Sequence, residues 1–145
     1  MDHVLLSLHV LAGIVFVGGS AVATSLFPRY APMLDAPPDS ERSLGVARAM
    51  HRITGTYAAL GLVVPALGIV LAAVQGRLGE SWITAAMIIT AVAGGLLAVQ
   101  IHPMQRSALA APDDGAQLRA LSMLAGIYNL LWTVVVVLMI VRPGA

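Results

Sequence analysis

The chain contains no cysteine and no lysine. Without cysteine there are no disulfides, no thiolate nucleophile and no iron–sulfur ligation. Without lysine the fixed positive charge rests on eight arginines, set against seven acidic residues for a net charge of +1. That balance offers no basic face of the kind a nucleic-acid partner requires. Charge of either sign is scarce: 10% of residues are Asp, Glu, Lys or Arg, where a soluble domain carries about 25%. Aromatic residues make up only 5%. No Ser–His–Asp set, glycine-rich phosphate loop or HExxH helix is present. No carboxylate lies inside an apolar run, so a pump-like proton relay lacks its usual carrier.

What fills the chain is hydrocarbon: 59% hydrophobic residues and a mean hydropathy of +0.88. Crossing ~30 Å of lipid takes ~20 apolar residues, and four runs qualify, at about 4–27, 53–74, 82–101 and 118–141. Arg119 is the only charged side chain within them. The expected fold is all-α: one domain over 1–145, an integral membrane four-helix bundle of up-down topology. No basic segment precedes the first run, and its length exceeds the ~7–15 residues of a signal-peptide core, so it is expected to remain as a span. Between the first two runs, Ala-Pro-Pro-Asp-Ser at 36–40 breaks the helix. Asp39 or Ser40 is then expected to cap a helix bearing Arg42 and Arg48 on its early turns. Asp113 or Asp114 is expected to cap the fourth span.

Arginines set the expected orientation. Arg29, Arg42, Arg48, Arg52, Arg106 and Arg119 fall at one end of the spans, and only Arg77 and Arg142 at the other. An excess of Lys and Arg marks cytoplasmic loops, which puts both termini outside. Arg-only basic usage beside abundant Ala, Gly and Val is typical of GC-rich genomes and points to a bacterial inner membrane. Trp82 and Tyr30 suit interfacial anchors.

Polar and small residues recur at helical spacing within the spans. His9, Gly13, Phe16, Ser20 and Thr24 form one stripe; Thr54, Tyr57, Gly61, Pro65 and Gly68 form another. The third span offers Met87, Ala91, Gly94, Gly95, Ala98 and His102, and the fourth Ser122, Gly126, Asn129 and Thr133. Membrane helices associate through such residues, so the stripes are expected to form the bundle seam. Ser20, Ser122 and Thr133 are candidate interhelical polar contacts, and Asn129 is the strongest candidate for interhelical glue. His9 lies about two turns inside the first span, where an imidazole needs a partner. It either hydrogen-bonds to Asn129, Ser20 or a backbone carbonyl, or ligates haem iron or another metal. His51 and His102 close the Arg-rich ends of spans two and three, as interfacial caps or as joint ligands. Met87 lies at a depth close to His9, which permits a His/Met haem. Tyr128 and Trp132 either flank a flat cofactor or pack.

With His9, the Gly18–Gly19 pair, Leu-Phe-Pro-Arg-Tyr at 26–30, Arg52, Pro65, Gly68, Trp82 and His102 in place, the chain resembles the HemJ-type protoporphyrinogen oxidases. It is also similar to copper-resistance CopD-type four-span domains. The resemblance covers most of the chain through scattered single residues. It implies four spans, b-type haem, and His9 as the haem or active-site histidine. HemJ-type proteins also carry a Lys shortly after the Trp that opens span three. Here that stretch reads Trp82-Ile-Thr-Ala-Ala-Met87, so the oxidase reaction is not part of the expectation. Two alternatives stand beside haem or metal handling in the bilayer. One is a cofactor-free bundle that self-associates or serves a larger membrane complex. The other is a small transporter, against which the missing intramembrane charges and paired broken helices count.

Overall fold

The computed structural model describes residues 2–144. Four long helices account for the expected bundle: α1 (Asp2–Tyr30), α2 (Leu44–Val74), α3 (Ser81–Ala110) and α4 (Ala116–Val141). Each is long and apolar enough to cross a membrane. The helices outrun the apolar runs in the sequence, most of all at the Arg-rich end, where α2 begins nine residues before residue 53 and α3 ends nine after residue 101. Hydrophobicity marks hydrocarbon, whereas hydrogen bonding continues a helix into the headgroup zone. Large apolar side chains cover the outer faces; Ile140, Leu62 and Val99 are at least 70% exposed. In water such surfaces would aggregate, but in lipid they are solvated by the acyl chains.

Two local assignments differ from the expectation. The cap of α2 is Ser43, whose hydroxyl accepts the Val46 N–H at 3.3 Å, rather than Asp39 or Ser40. Arg42 therefore precedes the helix. Its guanidinium instead donates to the carbonyls of Pro28 (3.1 Å) and Ala31 (2.6 Å), satisfying orphan acceptors where α1 ends. A cap is decided by which backbone N–H groups a side chain can reach, and the turns between 34 and 40 carry Asp39 and Ser40 away from α2. At α4 the cap position is Gly115, and not Asp113 or Asp114; the two aspartates serve the first turn from just before it, Asp113 accepting from the N–H groups of Gly115 and Gln117 and Asp114 from that of Ala116. Gly115 sits at φ +95°, a conformation that β-carbons disfavour.

Packing is uneven along the bundle. α1 lies against α2 over its whole length, α4 packs on both α1 and α3, and α2 meets α3 chiefly in the Arg-rich half. The core follows that asymmetry, with Phe27, Ala47, Ile101, Ala108 and Leu121 buried toward the Arg-rich end. Toward the opposite end, α2 and α3 splay.

The seam expected from small residues holds for α1, where Ser20 and Thr24 are each 1% exposed. It fails for α4. Ser122, Gly126 and Thr133 are exposed, and the buried face of α4 is Leu118, Leu121, Ala125, Tyr128 and Val135. The faces lie about 100° apart per residue step, and the larger, better-packing side chains take the interior. Asn129 still joins α4 to α1, donating from Nδ2 to the Ser25 hydroxyl at 2.9 Å. Neither Asn129 nor Ser20 is therefore the partner of His9; the Ser20 hydroxyl pairs with the Tyr128 hydroxyl at 2.7 Å.

Candidate functional site

Three of the four helices depart from regular α geometry in their middle stretches. α1 contains a π-helical turn at Gly13–Val17, and α3 another at Leu96–Ile101. α2 is interrupted at Gly61–Leu62, where Pro65 supplies the cause. Proline lacks the N–H that would bond to the Gly61 carbonyl and crowds that carbonyl. The chain tightens instead: Val64 N–H reaches the Gly61 carbonyl at 3.1 Å and Leu62 N–H the Ala59 carbonyl at 3.3 Å. Neither α1 nor α3 is unwound, and the interruption of α2 is a single tightened turn. Single π turns inside α-helices occur frequently at functional sites.

A cleft of about 380 Å³ opens at this level between α2 and α3. Its walls use the residues next to each irregular turn: Phe16 and Val17 on α1, Gly61 and Pro65 on α2, Gly94 and Gly95 on α3. The middle parts of the α2 and α3 stripes, Tyr57, Gly61 and Pro65 against Met87, Ala91, Gly94 and Gly95, thus face each other across an open slot instead of closing on one another. An added β-carbon at Gly94 or Gly95 would meet no atom within 4 Å, so those glycines leave real space. Aromatic rings form much of the remaining wall. Tyr57 stands edge-on to Phe16 with centroids 5.7 Å apart, and Tyr128 edge-on to Trp132 at 6.3 Å. The Tyr57 ring lies so close to α1 that a β-carbon at Gly19 would sit 2.2 Å from its Cε2. Gly19 is therefore the residue that lets Tyr57 take its place. Met87 also lines the cleft, and the buried indole N–H of Trp132 has no acceptor among the described residues. An apolar concavity with one or two directed polar groups is the usual form of a small-molecule site.

His3 is exposed near the start of α1, and the other three histidines fall into two places. His9 rests against α2 on the far half of the bundle, with Nδ1 3.0 Å from the Val64 carbonyl and Cε1 3.0 Å from where a β-carbon of Gly68 would stand. A carbonyl only accepts, so Nδ1 carries a proton, and Nε2 makes no hydrogen bond among the described residues. Metal-ligating histidines characteristically have this arrangement. It realises the backbone-carbonyl alternative for His9, and Gly68 is what admits the ring. His9 does not line the cleft.

His51 and His102 meet at the Arg-rich half, stacked with centroids 4.3 Å apart and planes 13° from parallel. Gly55 makes room for them: a β-carbon there would lie 2.6 Å from His102 Nε2. Behind His51 runs a buried polar chain that spacing alone did not reveal. Thr54 donates to the Met50 carbonyl at 2.9 Å, so its oxygen accepts from Gln105 Nε2 at 3.3 Å. Gln105 Oε1 is then left to accept from His51 Nδ1 at 3.1 Å. Thr54 and Gln105 are both 0% exposed. A Gln next to Arg106 near the end of α3 reads as surface in one dimension; the packing of α2 on α3 is what buries it. Stacked face to face, the two imidazoles do not bracket a macrocycle between them. No group of three or more His, Cys, Asp or Glu side chains comes together among the described residues.

At the end opposite the arginine-rich loops, Arg77, Glu80, Trp82 and Arg142 form a separate cluster. Arg77 Nε bonds Glu80 at 2.6 Å, Trp82 Nε1 donates to the other carboxylate oxygen, and the Arg142 guanidinium lies 5.8 Å from the Trp82 ring centre. The hydrogen bond from Arg77, followed by that from Trp82, holds the Glu80 carboxyl below its usual range. Trp82 thus sits within this charged cluster at the start of α3.

Comparison of the chain with protein-family models, with curated proteins and with solved structures finds no match. The site rests on its own geometry.

Proposed function

We propose that this small membrane protein binds a flat apolar ligand of the b-type haem class in the cleft between α2 and α3. The observation that carries the reading is a glycine- and aromatic-walled slot in the middle of the bundle, bordered by the α1 π turn, the Pro65 interruption and the start of the α3 π turn. A planar macrocycle matches walls made of glycine backbone and ring edges. Met87 offers a thioether from the wall, His9 has a free Nε2 on the same half of the bundle, and the Trp132 N–H is a donor without an acceptor among the described residues. The resemblance to the HemJ-type and CopD-type proteins supports the same ligand class. The chain's residues would seat the group, exclude water from it and tune its potential through burial and hydrogen bonding. The group itself would supply one-electron chemistry.

In the orientation we propose, both termini face outward from a bacterial inner membrane, following the six-to-two arginine distribution. The test of the ligand is a visible spectrum of detergent-purified protein produced with ample haem. Wild type is expected to show a Soret band. Gly94→Leu, which fills open cleft space, is expected to remove it, and His9→Ala and Met87→Ala to weaken or shift it. His51→Ala and His102→Ala are expected to leave it in place. Wild type without a Soret band, or a full band in Gly94→Leu, overturns the reading. The second reading is a cofactor-free bundle assembling with itself or with a larger membrane complex. The outward-facing Ser122, Gly126 and Thr133 favour it, and light scattering of the purified particle measures it.

A further inference from the structure

A second concavity, of about 330 Å³, lies at the Arg-rich end between α1 and α4, well away from the cleft. Arg29, Arg42 and Arg119 converge on it, with Ser122 beside them and Pro28 and Leu118 buried beneath. From these residues we infer that the groove binds a phosphate group, as the headgroup of an anionic lipid or as a free oxyanion.

The guanidinium groups are not used up by the protein. Arg42 directs Nη1 to the Pro28 and Ala31 carbonyls, which fixes its position and leaves its other donors without acceptors among the described residues. Arg29 meets Glu41 at 3.4 Å in a pair whose side chains are 67% and 73% exposed, and an exposed pair of that kind exchanges easily. Arg119 and Ser122 have no hydrogen-bond acceptor among the described residues. The Asp113 carboxylate, which feels the Arg119 charge, is occupied by the N–H groups of Gly115 and Gln117. Three planar forks around one apolar-floored groove match the tetrahedral oxygens of a phosphate. Two features favour the lipid source. The groove lies at the Arg-rich ends of α1 and α4, where their apolar runs stop, and the exposed Ser122–Gly126 strip of α4 continues it toward mid-bundle. At Gly126 an added β-carbon would touch nothing within 4 Å, so an acyl chain can lie along the helix there. Arginines near an anionic leaflet contribute in this way to lipid recognition.

The experiment follows thermal unfolding of the intact protein in neutral detergent micelles. Phosphatidylglycerol, phosphatidylcholine or inorganic phosphate is titrated in, and lipids that co-purify are identified by native mass spectrometry. Phosphatidylglycerol is expected to raise the midpoint saturably. Arg119→Gln and Arg29→Gln are each expected to weaken the apparent affinity by about fivefold. Arg48→Gln, an exposed arginine at the same end but outside the groove, is expected to leave it unchanged. If inorganic phosphate or phosphatidylcholine acts as well and with the same Arg119 and Arg29 dependence, the site recognises the phosphate itself, and the inference stands with the free ion or any phosphodiester as ligand. No saturable shift with any of the three overturns it. So does a shift indifferent to Arg119 and Arg29, or one lost equally in Arg48→Gln, since either is general charge attraction and not a site.

Discussion

Replacing Gln105 with Met removes both hydrogen bonds of a side chain that is wholly buried between α2 and α3, while keeping its length and nearly its volume. Two separate losses follow. Interhelical hydrogen bonds in membrane proteins contribute about 0.6 kcal/mol each on average, and the 3.3 Å contact to Thr54 belongs at or below that mean. The greater loss arises at His51, whose part-buried Nδ1–H is left without its acceptor; an unpaired donor costs about 1–3 kcal/mol when buried, so about 1 kcal/mol at a half-buried one. The Thr54 hydroxyl keeps its own bond to Met50, so it adds little. Gln105→Met is therefore expected to destabilise by about 2 kcal/mol. Gln105→Ala adds a cavity and is expected to destabilise by about 4 kcal/mol. Reversible unfolding in mixed detergent–dodecyl sulfate micelles reads both. A double-mutant cycle isolates the mechanism. With His51 replaced by Phe the stranded donor no longer exists, and the effect of Gln105→Met is expected to fall below about 1 kcal/mol. An equal effect in both backgrounds would refute the argument, because the penalty would then come from packing and not from the polar chain.

At the far end, Glu80 makes stability depend on acid. Its carboxyl is held below the usual range by Arg77 and Trp82, so its contribution is full above the unfolded carboxyl value and is lost as pH falls through the folded one. Wild type is expected to lose more thermal stability than Glu80→Gln between neutral pH and about pH 3; parallel midpoint curves for the two proteins would dismiss the effect. For orientation, a C-terminal alkaline phosphatase fusion is expected to be active and a C-terminal cytoplasmic fluorescent reporter dark. The reverse pair of results would invert the topology.

Much of the architecture was legible in one dimension because lipid imposes a simple rule: a backbone without water must bond to itself over ~20 apolar residues. That rule found four helices and located the arginines at their ends. It also found the stripes, though not which way they face. Helical spacing makes Ser122, Gly126 and Thr133 a stripe but leaves its direction open, and only packing showed that Leu121, Ala125 and Tyr128 hold the interior of α4. Likewise Pro65 is a visible helix breaker, whereas the π turns at Gly13–Val17 and Leu96–Ile101 carry no signature as plain. Each side chain's place is set by neighbours distant in sequence: Gly68 admits His9, Gly55 admits His102, and Gly19 admits Tyr57. The single sequence therefore determined the membrane class, the number of helices and the arginine asymmetry, which depend on local hydrophobicity and charge. The open slot between α2 and α3, the His51–Gln105–Thr54 chain and the three-arginine groove were decided only by tertiary packing, because each depends on which faces of separate helices meet.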